Sequence, residues 1–242
     1  MNTSKPWRIA DGTTSNQYSI KCSFSNSSAT VQRRSSRSPS YPSKGFASSP
    51  HPCMRFDKIV ICSGHMIDAR NRKTPRFPTA KAETVRAEIA RQLARWEIGA
   101  DELAVCGGAC GAEILFAEEC LRCATKIQLL LAQEVGDFVR DSVQYAGSDW
   151  VQRFHALPKK AEEATQPERL GEALPDISIY ARNNLWTINT AWIEAVDSAK
   201  IHALLGWDEK PSGDSPGGTS DFETKVRDLG GLIEIVNPTT LP

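Results

Sequence analysis

The sequence predicts an α/β fold of the Rossmann-like, doubly wound kind: a mostly parallel sheet of about five to six strands with helices on both faces. Three observations predict it. Short, almost unbroken apolar runs recur at 58–62, 102–106, 126–131, 200–207 and 232–236, as expected of strands covered on both faces. The segments between them place apolar residues at helical spacing. Three loops rich in Gly, Ser or Thr, at 63–65, 107–111 and 216–219, follow three of these runs. Strands alternating with helices specify a parallel sheet. Right-handed crossovers then bring the carboxyl ends of the strands to one edge, where ligands of open α/β sheets bind.

Each element has its own signal. Residues 1–55 are Ser/Arg-rich, with eight Lys/Arg, a single acid (Asp11) and no apolar period, and read as a disordered leader. They lack the apolar centre of a secretory signal. A transit peptide and a true start at Met54 are the two readings, the second slightly favoured. The first strand, 58–62, runs into Ser63, Gly64 and His65. Thr79 is the expected N-cap of a helix reaching about Trp96, with Val85, Ile89 and Leu93 on one face. The strand at 102–106 opens onto Gly107, Gly108 and Gly111, and a helix resumes with Ile114, Ala117, Leu121 and Ala124 on one face. Strand, glycine turn and helix together present backbone N–H groups to an anion, and glycine leaves out the Cβ that would block its approach.

After the strand at 126–131, residues 134–157 read as irregular helix, and 158–176 as an exposed linker, with a strand within 160–180, 177–179 its candidate position, as an option. Arg182, Asn183 and Asn184 introduce a helix through Ile188 and Ala191. The run at 200–207, a helix through Phe222 and Val226 and the strand at 232–236 complete the domain, 56–238. Trp186, Trp192 and Trp207 are expected in the core.

Charge and cysteine usage exclude several classes. Without the leader the chain carries 21 basic against 28 acidic side chains, which argues against a nucleic-acid surface. No apolar run has the length of a membrane helix. Seven cysteines, mostly inside apolar runs, indicate cytosolic usage rather than a disulfide framework. A zinc site from Cys106, Cys110, Cys120 and Cys123 would need paired knuckle loops; buried small hydrophobes account for them better. No metal or cofactor is expected.

The candidate ligand contacts carry paired readings. His65 bonds a phosphate or ribose, or caps its turn. Arg76, held between Pro75 and Pro78, clamps an anion or is solvated. Cys110, at a helix N-terminus, is an activated nucleophile or a small apolar filler, the filler favoured. Glu113 touches a ribose hydroxyl or favours the first helical turn through the dipole. Arg182, Asn183 and Asn184 offer donors to a ligand or serve the start of their helix.

Residues 63–68, 75–78, 107–113, 184–186 and 213–222 resemble a bacterial domain of the SLOG superfamily. These are Rossmann-like nucleotide-sensing domains related to the "lonely guy" cytokinin-activating phosphoribohydrolases, and they often accompany tetratricopeptide, TIR or cyclase modules in signalling proteins. The resemblance spans about 56–238. It implies a nucleotide or nucleotide-derived ligand over the carboxyl edge of the sheet. Gly107, Gly108 and Gly111 match that family's phosphate loop; Pro216, Gly217, Gly218 and Thr219 look like a shortened form of its later proline–glycine–glycine motif. The glutamate that should follow at set spacing has only approximate stand-ins in Asp221 and Glu223.

The expected function is therefore binding or sensing of a nucleotide-like molecule by a soluble, cytoplasmic, signalling-associated protein (organellar, if the leader is a transit peptide). A protein effector is the expected output partner. Paired domains are common in the related families, so a homodimer is a further expectation. The alternative is an N-glycosidic hydrolase whose catalytic candidates are Glu113, Asp221 and Glu223, since that reaction needs an acid and a stabiliser at fixed geometry. A degenerate interaction scaffold is the third reading.

Overall fold

A computed structural model of the chain describes residues 56–195, 197–210 and 217–242. The leader expected over 1–55, and Pro216 of the third glycine loop, fall outside the described residues. Among the described residues, six parallel strands form one sheet in the order β4-β3-β2-β1-β5-β6: β1 is Ile59–Gly64, β2 Leu103–Cys106, β3 Lys126–Leu131, β4 Glu162–Thr165, β5 Ile201–Gly206 and β6 Leu232–Ile235. The chain builds outward from β1 to β4, then returns to the other side of β1 for β5 and β6. The strand order therefore reverses between β1 and β5, which is where a doubly wound sheet opens a crevice.

The period of two along each strand divides the core between the faces. Val60, Cys62, Ala104, Cys106, Leu129 and Leu131 pack on one side with α1 (Ala82–Arg95), α2 (Ala112–Arg122), α3 (Val135–Ser142) and α4 (Ser148–Ala156). Ile59, Ile61, Val105, Leu130, Ala203 and Leu205 pack on the other. There they meet α6 (Ile179–Glu194) through Ile188 and Ala191, and α7 (Thr219–Leu229) through Phe222 and Val226. The short α5, Gln166–Leu170, follows β4. No described helix is long and apolar enough to cross a membrane.

Four expectations are corrected. The supposed linker at 158–176 contains β4, which pairs with β3 from Gln128↔Glu162 to Leu131↔Thr165. Its sequence, Glu-Glu-Ala-Thr, has no apolar run because an edge strand covers little core. The strand held as an option within 160–180 is this one, at Glu162–Thr165 and not at 177–179. Ser178 instead caps α6, its hydroxyl accepting the Ala181 N–H at 3.3 Å, so Arg182 to Asn184 stand one turn inside the helix. Thr79 makes no side-chain cap; it opens a turn of 3₁₀ helix, Thr79–Lys81, behind Pro78, whose carbonyl accepts the Lys81 N–H. Trp192 is 50% exposed, one step around α6 from the buried Ala191.

Candidate functional site

The carboxyl ends of β1 and β5 meet at the Gly64↔Gly206 pair, and α2 lands directly on it. A Cβ built on Gly206 would lie 2.3 Å from the Ala112 Cβ, and one on Gly64 2.5 Å from it. Only glycine at both positions lets the first residue of α2 settle against the sheet. Backbone bonds fasten the junction: His65 N–H donates to Gly206 O at 2.7 Å, Ala112 N–H to His65 O at 3.2 Å, and Ile67 N–H to Cys110 O at 3.2 Å.

Above this junction lies a cavity of about 420 Å³. The first loop contributes Ser63, Gly64 and His65 to its lining, the second Gly107, Ala109 and Glu113, and the start of α7 Gly217, Gly218 and Thr219. α6 supplies Asn183 and Asn184; Arg76 reaches in from the loop after β1. Gly218 is the N-cap of α7 and offers no capping side chain. Gly217 has φ +97°, and a Cβ there would meet the Ala181 backbone nitrogen at 2.3 Å. Asn184 Nδ2 donates to the Gly217 carbonyl at 3.0 Å, so α6 holds this loop against the cavity. Asn183 is fixed in turn: its Nδ2 donates to Leu130 O at 2.9 Å, and its Oδ1 accepts from Gln166 Nε2 at 3.0 Å.

The cationic side of the cavity is already charge-paired. Arg76 donates to both oxygens of Asp208, at 3.0 and 3.2 Å, and His65 Nε2 lies 2.8 Å from Asp208 Oδ1. Burial works against ionisation of Asp208, but the Arg76 and His65 contacts outweigh it and hold the carboxyl well below the usual range. Arg72 faces Asp68 at 3.3 Å, and Asp68 also accepts the Arg76 and Phe77 backbone N–H groups at 2.9 Å.

Glu113 governs the glycine loop. Its Oε2 accepts the Ala109 N–H at 2.8 Å, and the Gly108 amide also supports the carboxylate. Burial nevertheless dominates, and pushes the carboxyl up to about 7. The Cys110 N–H donates to Ser142 O at 3.0 Å. Gly108 turns the chain at φ +80°, while a Cβ on Gly111 (φ +108°) would lie 2.6 Å from His65 O. Gly108, Cys110 and Gly111 build the loop without lining the cavity. Cys110 is buried, its thiol donating to Tyr145 Oη at 3.4 Å, and burial raises its pKa. That is the opposite of an activated nucleophile.

Three predicted residues stand elsewhere. Arg182 donates to the Gly171 and Leu170 carbonyls, away from the cavity. Asp221 pairs with Lys225 and Glu223 with Arg227 along α7, and neither lines the cavity. Sequence reasoning missed Asp68, Arg72, Phe138, Ser142, Tyr145 and Tyr180 as lining residues. A signal existed only for Asp68 and Arg72, both in the loop after the first strand. Among the described residues, no group of three His, Cys, Asp or Glu side chains is placed to hold a metal ion.

No protein-family model matches the chain, and no curated protein matches it in sequence. Among solved structures it is similar to the X-ray structure of TM1055, a structural-genomics target, at 15% identity and a TM-score of 0.38. The match covers 73% of this chain and 72% of that one.

Proposed function

We propose that the cavity at the carboxyl edge of the sheet binds a nucleotide or nucleotide-derived small molecule, and that the chain is a regulatory, SLOG-type sensor of the bacterial signalling-associated kind. One observation carries the reading. Loops after β1 and β2 and the start of α7 converge on a single cavity of about 420 Å³ at the point where strand order reverses. A few convergent polar groups in a concave site at such a point are what small-ligand recognition requires. The occupied state would be passed on through a protein effector.

A hydrolase is the second reading, favoured by Glu113. A carboxyl near pKa 7 on the cavity wall suits a general acid or base at neutral pH. Base–sugar cleavage needs a second group for the developing charge. Asp221 and Glu223 are engaged along α7, and Asp68 is held by two backbone amides and Arg72. The sensor is therefore the preferred reading.

The test is a thermal-shift screen of the full chain against nucleosides, nucleoside monophosphates, cyclic nucleotides and ADP-ribose, with base release assayed in parallel. A ligand that binds only the folded state raises the melting temperature. A shift without base release supports the sensor, and a shift with turnover the hydrolase. No shift for any compound overturns both and leaves the scaffold.

A further inference from the structure

The glycine loop has the form of a phosphate cradle, yet it already holds an anion. Glu113 reaches back from the second residue of α2 and seats its carboxylate on the Ala109 N–H at 2.8 Å, with the Gly108 amide alongside. The next amide, Cys110 N–H, is bonded to Ser142 O. Gly107 leaves room for this arrangement. A Cβ there would stand 3.0 Å from Glu113 Oε2 and 3.3 Å from Asn183 Nδ2.

We infer that Glu113 occupies the position an incoming phosphate would take, so that this loop reads hydroxyl donors, a vicinal diol of a sugar, through the carboxylate. The inference rests on the proposed nucleotide-type ligand and deepens it. A carboxylate is acceptor-only when ionised, and its partner must bring O–H or N–H groups. A phosphate set against it would meet like charge in a poorly solvated site. Among the described residues, the lining supplies no unpaired guanidinium to offset that repulsion. Arg76 is engaged by Asp208, and Arg72 faces Asp68. The cavity thus selects a weakly charged, hydroxyl-bearing molecule over a polyphosphate. Charge-assisted hydrogen bonds of this kind are short and strong, which makes the hydroxyl contact a main source of discrimination.

The experiment measures binding to the full chain at pH 8, where the carboxylate is ionised. The probes are the four ribonucleosides, their 5′-monophosphates and 5′-triphosphates, and the 2′,3′-dideoxy counterpart of each monophosphate. For the best-bound base, removing both hydroxyls should weaken binding roughly tenfold or more, and the triphosphate should bind more weakly than the monophosphate. Glu113→Gln, which keeps the side chain's shape, should reduce the hydroxyl preference to about twofold or less and relieve the discrimination against added phosphates. Glu113→Asp, which retains the charge but shortens the arm, should lower the hydroxyl preference without relieving that discrimination. Equal binding of ribo and dideoxy probes by the wild type overturns the inference while leaving the nucleotide reading intact. A wild-type preference for the triphosphate does the same, and neither outcome depends on a variant folding. No binding of any probe overturns the nucleotide reading and this inference together.

Discussion

Replacing Glu113 by glutamine should stabilise the protein at alkaline pH and do nothing at acid pH. The Glu113 carboxyl is pushed from its ordinary 4.5 to about 7, chiefly by burial, against the opposing pull of the Ala109 and Gly108 amides. The folded protein therefore binds this proton more tightly than the unfolded chain does. Stability falls as pH rises from about 4.5 through 7, and the full cost is present above 7. At about 1.4 kcal/mol per pH unit that cost comes to about 3 kcal/mol. Glutamine keeps the oxygen that accepts from Ala109 N–H and removes the charge. Urea unfolding of the full chain should show the variant more stable by up to about 3 kcal/mol at pH 8, a midpoint higher by roughly 1–3 M for a typical urea dependence. The two proteins should converge near pH 4.5. A gain of the same size at both pH values would point to packing rather than charge, and a loss at pH 8 would mean that the amides more than offset the burial. Either result refutes the reasoning.

Three further outcomes follow from the same geometry. Gly206→Ala places a methyl 2.3 Å from the Ala112 Cβ; overpacking of this kind costs about 1–3 kcal/mol, or a melting temperature lower by roughly 2–12 °C. Adding Ala112→Gly should restore part of the loss, and full additivity in the cycle would show that the two sites do not touch. Asp208→Asn should cost roughly 1.5–3 kcal/mol at neutral pH by weakening the bonds to Arg76 and His65. Because the folded pKa of Asp208 is lowered, that stability is present above the ordinary carboxylate range and lost as pH falls below it. Acid titration followed by circular dichroism should therefore find the variant less pH-sensitive than wild type below pH 4; parallel curves would contradict this. With Cys22 and Cys53 changed to serine, a thiol reagent on the native chain should titrate one cysteine, Cys123, since Cys62, Cys106, Cys110 and Cys120 are buried. A second equivalent released before unfolding would count against the filler role.

What the sequence disclosed and withheld follows from how far each contact reaches along the chain. β1, β3 and β5 were legible because central strands of a covered sheet must be apolar on both sides. β4 was legible only as an unplaced strand within 160–180, because an edge strand reading Glu-Glu-Ala-Thr carries no such run. The glycine loop was legible as a turn, but the sequence does not say who occupies it. Its amides face Glu113, only four residues after Ala109, and that contact left a local trace: a helix whose N-cap is glycine and supplies no capping side chain has an acid at its second position. An acid there has two places to go, outward to the dipole or back onto the loop, and only burial decides between them. The long-range partners left no trace at all. Asp208 meets His65 across 143 residues and Arg76 across 132, and nothing local in either segment calls for the other. For that reason Arg76 reads in the sequence as a stiffly held anion clamp, whereas in the fold its guanidinium already has an anion. The same holds for the glycine loop. Both features that look most like phosphate ligands when met singly are neutralised by carboxylates of the chain itself. The charge of the cavity is thus a property of the assembled wall rather than of its motifs, and the proposed preference for hydroxyls over phosphates rests on that wall.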